Sequence, residues 1–214
     1  MKTIYRLDLS AQKRKLTAQV NAAMGADRAD GYVIWDDQNY PDHPNPLYRK
    51  KAYHINVACG GVEEVSPNHI LNLMEQPDCK HLIWISRDIG EAEPIRTVWV
   101  YAHEMTHLVQ DLDVPLLSSL TNFLRLAYPR VEPPKRQIDI PGEFDAELTA
   151  RELVVKLFGR NEYQAYVNRQ VQECTEGGVY FRRFEAVRFL PSVPRIRRSS
   201  GCGRHLCFVR PING

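Results

Sequence analysis

The stretch Tyr-Ala-His-Glu-Met-Thr-His-Leu-Val-Gln, residues 101–110, decides how the rest of this sequence is interpreted. On an α-helix, residues four apart lie one turn above each other on the same face, so His103 and His107 can hold one metal ion between them. Glu104 is rotated away by one residue and can reach a metal-bound water without being a ligand. The spacing therefore predicts a zinc-binding helix that carries its own general base.

The residues around this motif predict a buried helix that spans 94–113. Pro94 suits the first helical position, and Pro115 lies just past the expected end. Apolar side chains recur at helical spacing along one wide face, which comprises Ile95, Val98, Trp99, Ala102, Met105, Val109 and Leu112. Two unpaired histidines would be costly in such apolar surroundings, so the context favours a bound metal over a chance pairing.

A third metal ligand has to come from elsewhere in the chain, because a catalytic zinc has three protein ligands and one open position. No histidine follows His107 until His205, so the His-x-x-Gly-x-x-His arrangement of some zinc peptidases is absent. A carboxylate is therefore the better candidate, and the acidic stretch 138–153 contains several.

Within that stretch, Pro141 is expected to open a helix on which Glu143 and Glu147 lie one turn apart on one face. Acidic residues also favour a helix N-terminus on electrostatic grounds alone. Given the two histidines, we assign Glu143 as the third ligand and Glu147 as the acceptor for the remaining N–H of a liganding histidine. Asp145 points elsewhere and is the weaker choice.

These two motifs together resemble those of the ImmA/IrrE metallopeptidases over about residues 80–158. The second motif of that family has a glutamate, an alanine three residues on, a polar residue next, and a later alanine and leucine. The corresponding residues here are Glu143, Ala146, Glu147, Ala150 and Leu153. The chain departs from the family at Thr106, where glycine is frequent, and at Glu147, where asparagine or aspartate is common. The resemblance also implies that Glu143 is the third ligand.

The resemblance implies a zinc-dependent endopeptidase with one Zn²⁺ per chain and a specific protein substrate. The expected substrate is a helix-turn-helix transcriptional repressor, and the expected setting is a DNA-damage response, a mobile element or a phage-defence operon. Glu104 would act as the general base. The group that stabilises the tetrahedral oxyanion is left open among Tyr128, Tyr163, Tyr166 and His205.

Two other functions fit the same motif. The first is a non-catalytic module that binds nucleic acid or protein and uses zinc only as a structural element. An intact Glu104 argues against it, because a purely structural site has no use for a base. The second is a bacterial effector protease that is delivered to another cell, which would keep the catalytic motif but change the substrate.

The predicted fold class is α/β (α+β), a zincin-like metallopeptidase domain over residues 1–174 in which a small mixed sheet lies beside the buried helix. Strands are expected at 32–35, 53–57 and 81–85, with a turn at 87–90 and a loop at 40–47. A first helix capped by Ser10 should end near residue 23. Further helices are expected at 66–75, 94–113, 116–128, 141–158 and 162–174.

The segment 175–214 differs from the rest in composition. It contains eight arginines, no lysine and two glutamates, a balance of +6, so the remainder carries −4 of the chain's net +2. Arginines alternate there with aromatic residues, a composition that tracks a phosphate backbone and stacks bases. Arg182, Arg183, Arg197 and Arg198 are the candidate contacts to single-stranded DNA. A solvated basic tail, or an internal partner for the acidic remainder, would give the same composition.

Cysteine usage and hydropathy complete the sequence predictions. Five cysteines give no disulfide framework, which predicts a reducing, cytoplasmic setting. Residues 1–25 do not predict a secretory signal, and no stretch approaches the length of a membrane span. Cys59, directly after an expected strand, is a candidate thiolate switch that could occupy the open position of the zinc. A small buried hydrophobic role for Cys59 is the simpler alternative.

Overall fold

The computed structural model describes residues 1–44, 49–56, 68–75, 79–127 and 140–175. Within these ranges the strands are β1 Lys2–Tyr5, β2 Gly31–Trp35, β3 Ala52–Asn56 and β4 His81–Ile85. The helices are α1 Ala11–Met24, α2 Asn68–Leu71, α3 Arg87–Glu91, α4 Pro94–Asp113, α5 Pro115–Ala127, α6 Pro141–Phe158 and α7 Arg160–Thr175, with a 3₁₀ turn at Ala26–Arg28. The predicted mixed α+β class is confirmed.

The strands form one sheet in the order β1-β2-β4-β3. β1, β2 and β4 run parallel, and β3 pairs antiparallel with β4 at the edge of the described sheet. Every residue of the central strands β2 and β4 is buried, as expected for parallel strands that are covered on both faces. The predicted small mixed sheet is therefore present.

Side-chain alternation gives this sheet two apolar faces. One face, which includes Val33, Trp35, Ile83 and Ile85, packs with residues of α1, α4 and α6. The opposite face, which includes Tyr32, Ile34, Leu82 and Trp84, packs with Ile70, Met74 and Cys79. Residues of odd number in β2 and β4 therefore face α4, the helix that carries the two histidines.

Helix α4 lies between the sheet and α6. It begins at Pro94 and ends at Asp113, the bounds predicted from the sequence. Ala146 and Ala150 of α6 are fully buried, and their small side chains allow the two helix backbones to approach closely. Burial on two sides explains why α4 is apolar over most of its circumference.

The other boundaries follow from local signals. The Ser10 hydroxyl accepts a hydrogen bond from the backbone N–H of Lys13 at 3.4 Å, which is the predicted cap of α1. Gly25 ends that helix with φ of 62°, in the left-handed region that favours glycine. α6 has its predicted bounds, while α5 starts one residue early because Pro115 fits the first helical position.

Three predictions of secondary structure were wrong or incomplete. β1 was not predicted, because a four-residue strand at the sheet edge has too little alternation to be recognised. The turn expected at 87–90 is the short helix α3, in which the backbone N–H of Gly90 donates to the carbonyl of Ser86 at 3.0 Å. The helix expected at 66–75 is α2, Asn68–Leu71, in the described residues.

Several predictions fall on parts of the chain beyond the described ranges. The domain boundary proposed at 174/175 falls at the end of α7, and residues 176–214, including Arg182, Arg183, Arg197 and Arg198, lie outside the described residues. Cys59, Tyr128 and His205 also lie outside them. Among the helices that the structure does describe, none has the length and apolar character needed to cross a bilayer.

Candidate metal centre

The two histidines of α4 lie one turn apart, with their imidazoles turned toward each other. The Nε2 atoms of His103 and His107 are 3.1 Å apart, and the ring centroids are 4.8 Å apart at an interplanar angle of 85°. Both residues are 6% exposed. The i, i+4 spacing thus places two imidazole nitrogens at one buried point, as predicted.

Glu143 reaches the same point from the first turn of α6. Its Oε2 is 3.4 Å from His103 Nε2, and its Oε1 is 3.7 Å from His107 Nε2. The residue is 1% exposed. One donor atom from each of the three residues lies within 4.8 Å of the other two. The structure therefore brings together the three residues that the sequence analysis named as ligands.

The glycine before Glu143 allows this approach. Gly142 lies against the Thr121 side chain of α5, and an added Cβ would overlap the Thr121 hydroxyl. Thr121 is itself buried and donates to the carbonyl of Leu117 at 2.7 Å, so it is held in place. Gly142 thereby lets the N-terminus of α6 pack closely against α5, which sets the position of Glu143.

Glu147 lies on the far side of His103, where the sequence analysis placed an acceptor. Its Oε2 accepts a hydrogen bond from Trp99 Nε1 at 2.9 Å, and its Oε1 is 3.4 Å from His103 Nδ1. That contact falls short of hydrogen-bond geometry, so His103 Nδ1 has no hydrogen-bond partner although it is buried. A small rotation of the ring would complete the bond and leave Nε2 free for a metal.

His107 is oriented by an amide instead of a carboxylate. Its Nδ1 is 3.0 Å from Gln110 Oε1. The Gln110 Nε2 donates to the Gly142 carbonyl at 2.8 Å and to Asp145 Oδ2 at 2.9 Å, so its oxygen must face the histidine. The proton of His107 is therefore on Nδ1, and the lone pair of its Nε2 faces His103 and Glu143. Asp145, the weaker candidate for the third ligand, accepts a hydrogen bond from the Gln110 side chain instead of facing the histidines.

The electrostatics of the triad allow only one of its two imidazoles to be protonated readily. Burial lowers the pKa of His103, but Glu147 and Glu143 outweigh it, so the net pKa is raised. Burial and the charge of His103 lower the pKa of His107 to about 3. Burial raises the pKa of Glu143, but His103, His107 and Arg125 more than offset it and keep the carboxylate ionised. His107 is thus neutral and Glu143 is ionised, the forms in which they bind a metal, whereas a metal at His103 would have to displace a proton from its Nε2.

Arg125 of α5 is a site residue that the sequence analysis missed. Its Nε donates to Glu143 Oε1 at 2.6 Å, and Nη2 contacts the same carboxylate and lies 3.2 Å from His107 Nε2. The Arg125 side chain is 32% exposed, so it reaches the triad from the solvent side. Its guanidinium supplies a positive charge that offsets the buried negative charge of the Glu143 carboxylate. Nothing in the sequence pattern of α5 indicates this contact.

Glu104 is half-buried and follows His103 on α4. Burial raises the pKa of its carboxyl above the ordinary value, against an opposite effect of His103. A carboxylate with a raised pKa beside a metal site is suited to accept a proton from water. The general-base role of Glu104 stays a prediction from its place in the motif, and this raised pKa is compatible with it.

Two of the four candidates for oxyanion stabilisation are in described parts of the chain. Tyr163 and Tyr166 of α7 pack around the Trp99 ring, with centroid separations of 5.5 and 6.1 Å. Both are buried, at 5% and 2% exposure. Their rings pack against the indole whose Nε1 donates to Glu147, so they support that hydrogen bond.

The residues present fit a zinc ion. Two imidazole nitrogens and one carboxylate are a common ligand set for catalytic zinc, and three protein ligands leave one position for water. The buried His103 Nδ1, which lacks a hydrogen-bond partner, fits a ring that shifts slightly when its Nε2 binds a metal. What the structure shows is a buried His-His-Glu group able to hold a metal ion.

Glu147→Gln is expected to weaken zinc binding by about 10–100-fold, the usual effect of removing an outer partner of a liganding histidine. The amide lacks the charge that holds the Nδ1 proton of His103. Competition with a chromophoric chelator measures the change. Glu152→Gln, on the exposed face of the same helix, is the matched control. Equal zinc affinity in both variants would mean that Glu147 does not act as the acceptor for His103 Nδ1.

Comparisons with known proteins give no relative of this chain. A scan against protein-family models found none that matches, and searches of curated proteins and of solved structures also found no match. The resemblance to ImmA/IrrE metallopeptidases therefore stays a prediction from two motifs. Support for a function comes from the residues of the site.

Proposed function

We propose that this chain is a zinc-dependent endopeptidase of the zincin type, similar to the ImmA/IrrE metallopeptidases. The observation that carries the proposal is the convergence of His103, His107 and Glu143 in a buried site, with Glu104 next to the first ligand. Structural zinc sites usually have four protein ligands and no adjacent base. Three ligands and a carboxylate base favour catalysis over the structural alternative.

The residues of the site would divide the chemistry between them. His103, His107 and Glu143 would hold Zn²⁺, which when bound supplies Lewis-acid polarisation of the scissile carbonyl and activates water at neutral pH. Glu104 accepts the proton of the attacking water and passes it to the leaving amine. Gln110 keeps the proton of His107 on Nδ1.

Arg125 is placed to offset negative charge at the reacting centre. Its guanidinium contacts Glu143 and His107 while about a third of the side chain remains exposed. A fixed cation at the open side of the site can stabilise the oxyanion that forms when water attacks a carbonyl. Arg125 is therefore a further candidate for stabilising the oxyanion, a role for which the sequence alone left several residues open.

The sheet edge offers a way to bind an extended substrate. β3 is one of the two edge strands of the described sheet, and α4 packs against it as well as against α6. A substrate segment could add to such an edge through backbone hydrogen bonds, with side-chain pockets giving specificity. The family resemblance suggests that the segment belongs to a helix-turn-helix repressor.

Cleavage of a peptide bond by the zinc-loaded chain tests the proposal directly. The substrates are helix-turn-helix repressors encoded beside its gene, together with a mixture of extended peptides, and mass spectrometry locates any new termini. Cleavage that needs zinc supports the proposal. A zinc-loaded chain that cleaves none of them, yet loses its fold without zinc, would support the structural alternative.

Single-stranded DNA is the proposed activating ligand, and the arginine-rich segment 175–214 is proposed to bind it. Changing Arg182, Arg183, Arg197 and Arg198 to alanine should lower DNA affinity and abolish DNA-stimulated cleavage. Each lost phosphate contact reduces the salt dependence, so the slope of log affinity against log salt should fall by about 3 in magnitude. Fluorescence anisotropy over a salt series measures this change.

The matched control is Lys15→Ala with Lys156→Ala, two exposed cations outside the segment, which should change DNA binding little. Zinc content should be unchanged in all variants. DNA binding that does not respond to salt, or cleavage indifferent to added single-stranded DNA, would contradict activation by DNA. The peptidase proposal does not depend on this result.

A further inference from the structure

A second group of potential metal ligands lies outside the peptidase site. It consists of His54 on β3, His81 on β4 and Asp111 on α4. The register pairs His54 with Ile83 and Asn56 with His81, so the two histidines are diagonal neighbours on one face of the sheet. Ile83 belongs to the face that packs on α4, which places both imidazoles opposite Asp111.

The three side chains meet in a buried position. His54 Nδ1 is 3.5 Å from Asp111 Oδ2, and His54 Nε2 is 3.4 Å from His81 Nδ1. The two imidazole rings stack, with centroids 5.6 Å apart and planes 16° apart. The side chains of His54 and Asp111 are 5% and 4% exposed, and His81 is 7% exposed. One ligand atom from each residue lies within 4.8 Å of the others.

The charges of this cluster suit a cation. Burial lowers the pKa of both His54 and His81, so the imidazoles are neutral, which is the form that binds metals. Asp111 accepts a hydrogen bond from Ser118 Oγ, which orients one carboxylate oxygen and leaves the other facing His54. Burial raises the pKa of the Asp111 carboxyl although Ser118, Asn56 and Arg125 act in the opposite direction, and a bound cation would stabilise its ionised form further.

We propose that His54, His81 and Asp111 form a second binding site for a divalent transition metal. Two imidazoles and one carboxylate favour ions such as Zn²⁺, Co²⁺ or Ni²⁺ over Mg²⁺ or Ca²⁺, which prefer oxygen ligands. The bound ion ties the edge strand β3 and its neighbour β4 to the C-terminal part of α4. The site does not depend on the peptidase function.

The second site shares its helix with the first. Asp111 lies four residues after His107, about 6 Å further along the helix axis at a rise of about 1.5 Å per residue. An ion at the second site therefore fixes the strand that would pair with substrate relative to the helix that carries the catalytic ligands. The alternative is a hydrogen-bonded relay from Asp111 through His54 to His81, which needs no metal.

Metal stoichiometry separates these possibilities. The full chain is stripped with a chelator, reloaded with Co²⁺ or Zn²⁺, and analysed by mass spectrometry of the metal content. Two ions per chain are expected for the unmodified protein and one for a His103→Ala, His107→Ala variant. Adding His54→Gln and Asp111→Asn to that variant should remove the remaining ion, while adding His43→Gln, a histidine outside both clusters, should not.

A His103→Ala, His107→Ala variant that binds no ion would overturn the second site, as would an ion in that variant that survives His54→Gln with Asp111→Asn. A thiolate charge-transfer band in the Co²⁺ spectrum of the His103→Ala, His107→Ala variant would also overturn it, because cysteines would then hold the ion. Circular dichroism checks folding. The His81→Gln single variant, which should also lose one ion, repeats the test with a smaller change.

Discussion

Replacing Glu104 with glutamine is expected to abolish peptide-bond cleavage while the fold and the bound zinc remain. Glutamine has nearly the same size and shape but cannot accept the proton of the attacking water. Loss of a positioned general base typically lowers the rate by a factor of ~10²–10⁴. Cleavage rates of the zinc-loaded proteins, followed by mass spectrometry of the products, measure the change.

The matched control is Glu162→Gln, an exposed glutamate in the first turn of α7, which should cleave at the unmodified rate. Zinc content distinguishes a lost base from a lost metal, because Glu104 is not among the predicted ligands. If the Glu104→Gln protein cleaved as fast as the unmodified one, the general base would have to be another group. A structural zinc predicts no difference among the three proteins, since none of them would cleave.

Local sequence signals were sufficient for the elements that carry the site. The bounds of α4 and α6 were predicted correctly because each opens with a proline at the first helical position, Pro94 and Pro141. Apolar periodicity was clear in α4 because it is buried against both the sheet and α6. β1 gave no such signal, since its four residues are partly exposed and depend on pairing with β2.

The candidate site could be predicted only as far as its spacing within each helix. The separation of four positions from His103 to His107 corresponds to one turn, and the acidic segment, with the two histidines and the family resemblance, led to Glu143 as the third ligand. The contacts of Arg125 depend on how α5 packs against α6. Such packing is a tertiary property, and neither residue type nor periodicity in α5 specifies which helix face meets Glu143.

The His54–His81–Asp111 cluster illustrates the same limit. The two histidines come from strands whose adjacency follows from the sheet order β1-β2-β4-β3. Sequence order alone does not give the pairing partner or the register, and a shift of one residue would place His54 on the opposite face. Asp111 was predicted on α4, but its neighbours were not.

Replacing Glu143 with glutamine is expected to lower zinc affinity at the first site by more than the ~100-fold upper range for an outer partner. The variant removes a charged ligand and leaves the Arg125 guanidinium without the carboxylate that it contacts. Competition with a chromophoric chelator measures the affinity. The measurements use a His54→Gln, Asp111→Asn background, so that only the first site contributes.

Asp145→Asn is the matched control, because it is on the same helix and contacts Gln110 instead of the histidines. It should keep zinc affinity near that of the background protein, since asparagine can still accept from the Gln110 amide. The reverse result would make Asp145 the ligand. Adding Arg125→Ala to Glu143→Gln separates two causes: recovery of affinity would mean that an unpaired guanidinium repels the ion. Persistent loss means that the carboxylate itself binds the metal, which is the outcome that the 3.4 and 3.7 Å approaches of Glu143 to the two imidazoles favour.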